Sequence, residues 1–137
     1  MHVRIVIAGL AFGACSNAFA YEPQTNYALQ CMGCHTPDGS GVADRVPSVR
    51  DTLVPFAGTA EGRKFLVQVP GSSQSTLSDA ELAELLNWMI RNLSATPPPS
   101  SFAPFTEREV AEYRTQTLSQ VRATRERLLA AARPRSP

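Results

Sequence analysis

Apolar positions along this 137-residue chain recur mainly at helical spacing. The clearest case is Leu82, Leu85, Leu86, Met89 and Leu93, which fall on one stripe of a helix. Trp88 and Ile90 widen that stripe, as expected of a helix packed in a small core. Ser78-Asp79-Ala80-Glu81 precedes it and reads as a capping box, with Ser at the N-cap and Glu at N3. A shorter helix is predicted from Ala60 to Val69, started by Thr59 and stopped before Pro70. Asn26 to Cys34 reads as another short helix, with Thr25 as its N-cap. Between these, Thr36 to Leu53 is rich in Gly, Asp, Pro and Ser and is predicted as loop. Gly39 and Gly41 permit tight turns there. Pro70 to Thr76 is predicted as a second loop.

Beyond Leu93 the pattern changes. Thr96-Pro97-Pro98-Pro99-Ser100-Ser101 reads as a stiff linker of polyproline type. A last helix is expected to start at Thr106, again with a capping box (Thr106 to Glu109), and to end near Ala132 before Pro134. Val110, Tyr113, Leu118, Val121 and Leu128 give it only a thin apolar edge. The division predicted is therefore 1–20, 21–93, a linker at 94–105 and a helical tail at 106–137. The class is all-α: a small helical domain with a C-terminal helical extension. No internal repeat is visible.

Residues 1–20 have the layout of a secretory signal peptide. His2 and Arg4 form a weakly basic start, Ile5 to Ala14 an apolar core, and Ala18-Phe19-Ala20 a cleavage site. The apolar run is short for a membrane-spanning helix, so membrane association is expected only if this leader is retained. Export to a periplasm is the expected destination. Removal of the leader takes Cys15 with it and leaves two cysteines.

Those two carry the chemistry. Cys31-Met32-Gly33-Cys34-His35 is a C-x-x-C-H run, the attachment pattern of a c-type haem. The thiols add to the porphyrin vinyl groups, and His35 is placed to ligate the iron. A redox disulfide is one alternative, but it calls for a βαβ pattern that this chain lacks. Zinc is another, but a closed site needs a fourth ligand, and His35 is the only histidine beyond His2. One haem c, fixed through Cys31 and Cys34, is the predicted cofactor, and one-electron transfer the predicted activity. The cofactor would also help a region from Tyr21 to Leu93 that is small for an independent core.

From Tyr27 to Leu93 the chain resembles a class I c-type cytochrome. The order of parts carries the resemblance: a helix with the haem motif, a glycine-rich loop, a proline, short helices, then a capped amphipathic helix. The resemblance implies a single haem, with the first and last helices crossing beside one haem edge. It also implies attachment outside the cytoplasm, and a role for Pro47 as the carbonyl that accepts a hydrogen bond from His35 Nδ1. Such a bond fixes the tautomer of a ligating imidazole. The departure is the sixth ligand. The family presents Met before Pro, whereas this chain reads Val67-Gln68-Val69-Pro70. Met32 lies inside the motif. Met89, Lys64, Tyr113 or a water are the remaining candidates. An open sixth site that binds or turns over a small ligand is the alternative function, with Glu61, Arg63 or Gln68 as candidate distal groups.

Net charge is +1 for the whole chain, but it is unevenly spread. Tyr21 to Leu93 holds eight acidic and five basic residues, and Thr106 to Pro137 four acidic and seven basic. That split favours electrostatic docking to a protein partner over nucleic-acid binding; for an electron carrier the expected partner is a redox protein, a dehydrogenase or an oxidase. The tail itself is expected either to pack on the helical domain or to serve a partner.

Overall fold

The computed structural model describes residues 21–133. The expected leader at 1–20 lies outside the described residues. Among those described, the chain forms eight helices and no strand: α1 (Pro23–Gln30), α2 (Met32–His35), α3 (Leu53–Ala57), α4 (Ala60–Gln68), α5 (Pro70–Ser73), α6 (Asp79–Asn92), α7 (Glu107–Tyr113) and α8 (Val121–Ala132). The fold is all-α, as the apolar spacing predicts.

Local sequence explains most boundaries. α1 begins at Pro23, ahead of the expected Thr25 cap, because a proline at the first helical position has its φ preset and loses no hydrogen bond. The single helix expected through Cys34 is interrupted at Cys31, whose φ of −123° leaves the helical region. The bonds across the break persist, with Cys31 N donating to Tyr27 O at 2.9 Å and His35 N to Cys31 O at 2.9 Å. α3 is an element the sequence reading lacked. Pro55 sits in its first turn, where backbone N–H groups have no intrahelical partner, so the proline costs nothing there. α5 likewise opens on Pro70 inside what was expected to be loop.

α6 keeps its full capping box: Glu81 N donates to Ser78 Oγ, and the Glu81 carboxylate accepts from Ser78 N at 2.8 Å. The box at Thr106 is only half made. Thr106 Oγ1 accepts from Glu109 N at 3.2 Å, while the Glu109 carboxylate turns away to Arg63.

The last helix is two helices rather than one. Residues 114–120 separate α7 from α8. Thr115, Thr117 and Ser119 lie in this stretch, and such side chains compete for backbone partners. Thr115 Oγ1 donates back to Glu112 O at 3.0 Å.

α6 packs against α1, α3 and α7, and α4 against α3, α7 and α8. Tyr27, Leu53, Phe56, Leu82, Leu85, Ile90, Val67 and Val110 are the large side chains buried most completely. Phe56 and Phe65 join α3 to α4 edge to face, with ring centroids 5.3 Å apart. Gly62 makes that approach possible, since a Cβ there would strike the Phe56 backbone. The C-terminal segment belongs to the same core through Phe105, Val110 and Leu128.

Polar contacts bind that segment down. Asn87 on α6 brackets Phe105, donating from Nδ2 to its carbonyl at 2.9 Å and accepting its N–H at 2.7 Å. Arg63 on α4 meets Glu109 through two parallel bonds of 2.6 Å, donates to Ala103 O at 2.9 Å and stacks 3.8 Å over the Phe105 ring. Gln68 Nε2 donates to Tyr113 O at 3.0 Å, and Leu118 N returns a bond to Gln68 O at 2.8 Å. Arg114 donates to the carbonyls of Ser73 and Leu77 and to the Asp79 carboxylate, at 3.1, 2.6 and 3.0 Å. Of the two expectations for the tail, the structure realises packing on the helical domain.

Candidate functional site

The haem motif occupies the turn at which α1 gives way to α2. Tyr27 anchors this turn from inside. Its ring is buried and leans on Trp88 of α6, with centroids 5.7 Å apart. Its hydroxyl donates to Thr36 O at 2.6 Å, just past His35. Burial, with help from Cys31 and Asp38, pushes the Tyr27 hydroxyl up to about 12, so it stays a donor at any ordinary pH. Tyr27 belongs to no motif in the sequence. Its signal was its position one turn before Cys31.

Thr36 adopts a left-handed φ of 62° and collects bonds that shape the following loop. Its hydroxyl lies beside Asp38 Oδ1 at 3.0 Å and accepts from Gly41 N at 3.2 Å. Gly41 N also donates to His35 O at 3.2 Å. Gly41 has φ 74°, and a Cβ there would collide with the Val46 carbonyl. The chain then closes a small bridge between Val42 and Val46, which delivers Pro47 to the neighbourhood of His35. Glycine is therefore required at 41 for two reasons, conformation and room.

A cavity of about 400 Å³ opens beside the motif, within the ~300–1000 Å³ range of small-molecule and cofactor sites. Cys31, Cys34, His35 and Pro47 all line it, together with Leu53, Phe65, Leu66, Leu82, Leu85, Leu86 and Met89. The four residues predicted from the sequence are thus brought together around one apolar hollow. Cys31 is half-buried and Cys34 exposed, and both are free thiols. Burial, and secondarily the neighbouring Cys34, push the Cys31 thiol up to about 11. Burial lowers the His35 pKa, partly opposed by the Pro47 carbonyl. That burial favours the neutral imidazole, the form that binds a metal. His35 Nδ1 is buried without a hydrogen bond of ordinary geometry, yet the Pro47 carbonyl is near enough to pull its pKa upward.

This donor set fits a covalently held haem. Two thiols sit on the wall of an apolar hollow, an imidazole follows the second, and aliphatic side chains surround the space. Of the candidate side chains for a sixth ligand, Met89 lines the cavity, whereas Lys64 and Tyr113 do not; Val69, which stands where the family presents Met and cannot ligate iron, lines it too. Glu61, Arg63 and Gln68, candidates for distal groups, are absent from the wall as well. Arg63 and Gln68 are committed to the tail contacts described above. Two lining residues come from a place the sequence reading left outside the site: Val121 and Arg125, on α8. Val121 belongs to the thin apolar edge of the tail, whereas Arg125 carries no such signal in the sequence.

No protein-family model matches the chain. Two curated proteins do resemble it, both named cytochrome c-552 and both from Thermus thermophilus. The first is 27% identical over 144 aligned residues, covering 90% of this chain and 93% of that protein. The second is 29% identical over 119, covering 72% of this chain and 91% of that protein. The likenesses point to a c-type cytochrome. With 90% of the chain covered, the first likeness takes in part of the C-terminal segment as well as the motif region. The small all-α fold is consistent with that of a cytochrome c-like protein.

Proposed function

We propose that this protein is an exported, single-haem c-type cytochrome that passes one electron at a time, either as a free carrier or as the cytochrome subunit of a dehydrogenase complex. The observation that carries the reading is the convergence of Cys31, Cys34, His35 and Pro47 on one apolar cavity. Haem, when bound, supplies the one-electron iron couple. The chain supplies the rest. Cys31 and Cys34 tether the porphyrin through thioether bonds. His35, whose neutral form burial favours, offers a nitrogen to the iron. The nearby Pro47 carbonyl would accept from the other ring nitrogen once the imidazole is on the iron, and Gly41 holds Pro47 in reach. The aliphatic wall excludes water, which keeps the reorganisation that accompanies electron transfer small. Leu29 and Met32, beside the motif in sequence, are 63% and 38% exposed. They offer an apolar contact to a redox partner, a dehydrogenase or an oxidase.

A second reading has an observation of its own. Val69 lines the cavity where the family presents a methionine, and no lysine or tyrosine among the described residues lines it. Among the described residues, Met89 is the one thioether besides the motif's own Met32. It shares a wall with Leu82, Leu85 and Leu86, where methionine serves as core filler. An iron without a protein ligand on its sixth side would bind small molecules.

The optical spectrum of the purified protein, oxidised and reduced, with and without carbon monoxide, tests both readings. A covalent haem spectrum insensitive to carbon monoxide supports the carrier. A high-spin spectrum that shifts with carbon monoxide supports the ligand-binding protein. A chain that takes up no covalent haem alongside haem-maturation machinery refutes both.

A further inference from the structure

Arginine closes a charge balance three times among the described residues. Arg50 has Asp38, Arg63 has Glu109, and Arg114 has Asp79 and a set of carbonyls. Arg125 has no such partner: it makes no hydrogen bond or ion pair with the described residues, although it is half-buried. It also lines the cofactor cavity, one turn beyond Val121, which lines it too. The face of α8 bearing Val121 and Arg125 is therefore the face turned to the hollow. A guanidinium against aliphatic walls is costly unless an anion meets it.

Besides Cys31, Cys34 and His35, the titratable or charged side chains on the described lining are Arg45 and Arg125. No carboxylate lines the cavity. The anion must then come from the occupant, and haem carries two propionate carboxylates on one edge. Arg45 is exposed, so a pair at that position is screened by water. Arg125 is sheltered, and its planar fork matches a carboxylate through two bonds.

We propose that Arg125 is the counter-ion of a haem propionate, so that the cofactor itself fastens α8 to the helical domain. This rests on the covalent-haem reading above. It makes the C-terminal helix part of the cofactor site and assigns Arg125 a positioning role: it sets the charge near the iron without touching it.

The test uses the full haem-loaded protein with Arg125→Gln, Arg125→Lys and, as a charge-matched control, Arg127→Gln, which alters an exposed arginine on the same helix. Covalent haem is first verified by mass. Two quantities are then read: the reduction potential, and the rate at which thermolysin cuts at Leu128 and Leu129. Loss of a nearby positive charge favours the ferric state, so Arg125→Gln lowers the potential. The same variant is cut about tenfold faster, because one charge-assisted pair no longer holds the helix. Arg125→Lys keeps the potential near its normal value and is cut at an intermediate rate. Arg127→Gln matches the unaltered protein in both. If Arg125→Gln and Arg127→Gln behave alike, the proposal is overturned while the haem reading stands. A protein without covalent haem overturns both. Should Arg125→Gln fail to accumulate, Arg125→Lys decides: faster cutting supports the pair, unchanged cutting refutes it.

Discussion

The loop that follows the haem motif and the C-terminal segment are held by opposite means. Residues 36–50 are shaped by their own neighbours. Asp38 accepts from Ser40 N at 3.1 Å, Thr36 from Gly41 N, and Val46 and Val42 exchange backbone bonds. Glycines at 39 and 41 supply the left-handed turns. Residues 102–129 are held by bonds that span long stretches of sequence: Arg63, Gln68 and Asn87 reach into the segment, and its own Arg114 reaches out to Ser73, Leu77 and Asp79. The first region is a local code that turns residues write by themselves. The second is a set of long-range polar clasps around a few buried apolar side chains. A segment with a sparse apolar edge can still join a core when each clasp satisfies backbone carbonyls that would otherwise be orphaned.

Four substitutions probe that contrast. Arg114→Ala removes the donor for the Ser73 and Leu77 carbonyls and strands Asp79, and should cost about 3 kcal/mol in unfolding free energy. Urea denaturation followed by far-ultraviolet circular dichroism would measure it. If the tail were a passive appendage, the loss would stay within about half a kcal/mol of zero. In the local region, Gly41→Ala forces a side chain into a left-handed turn and against the Val46 carbonyl, for about 2 kcal/mol. Its haem-loaded form should also show a perturbed His35 environment by nuclear magnetic resonance, because Gly41 links His35 to Pro47.

Thr106→Ala removes one half-made cap, and about 1 kcal/mol is expected from the same denaturation series. The smallest effect is electrostatic. Bonds from Ser40 and Thr36, and more weakly the Arg50 charge, hold the Asp38 carboxyl at about 2, below its ordinary 3.8. Its folded pKa is depressed, so its contribution is present above about pH 4 and disappears as pH falls through about 2. Asp38→Asn should flatten that acid limb of the stability profile slightly, and an unchanged limb would remove Asp38 from the account.

The same contrast explains what could be read from the sequence. Ser78 with Glu81, Thr59 before α4, and the stripe from Leu82 to Leu93 are patterns within a few residues, and each formed as expected. Cys31, Cys34, His35 and Pro47 were identified by spacing and resemblance, and they do meet at one cavity. The glycine turns at 39 and 41 were likewise visible. What was not visible depends on partners distant in the chain. α3 escaped notice because Pro55 looks like a breaker until its first-turn position is known. The split between α7 and α8 is fixed partly by Leu118 N reaching Gln68 O. Glu109, read as a capping residue, is captured by Arg63, some 46 positions earlier. Val121 and Arg125 looked like a solvated helix because nothing local tells a helix which cavity it will cover.

The placement of Val121 and Arg125 also bears on the order of events in time. A chain threaded from its N-terminus presents Cys31 to His35 first, whereas the wall made by α8 follows only after the intervening helices α3 to α7. Until then the hollow stands open on that side. The architecture therefore provides an interval in which a bulky flat molecule can be seated and bonded before the door behind it shuts.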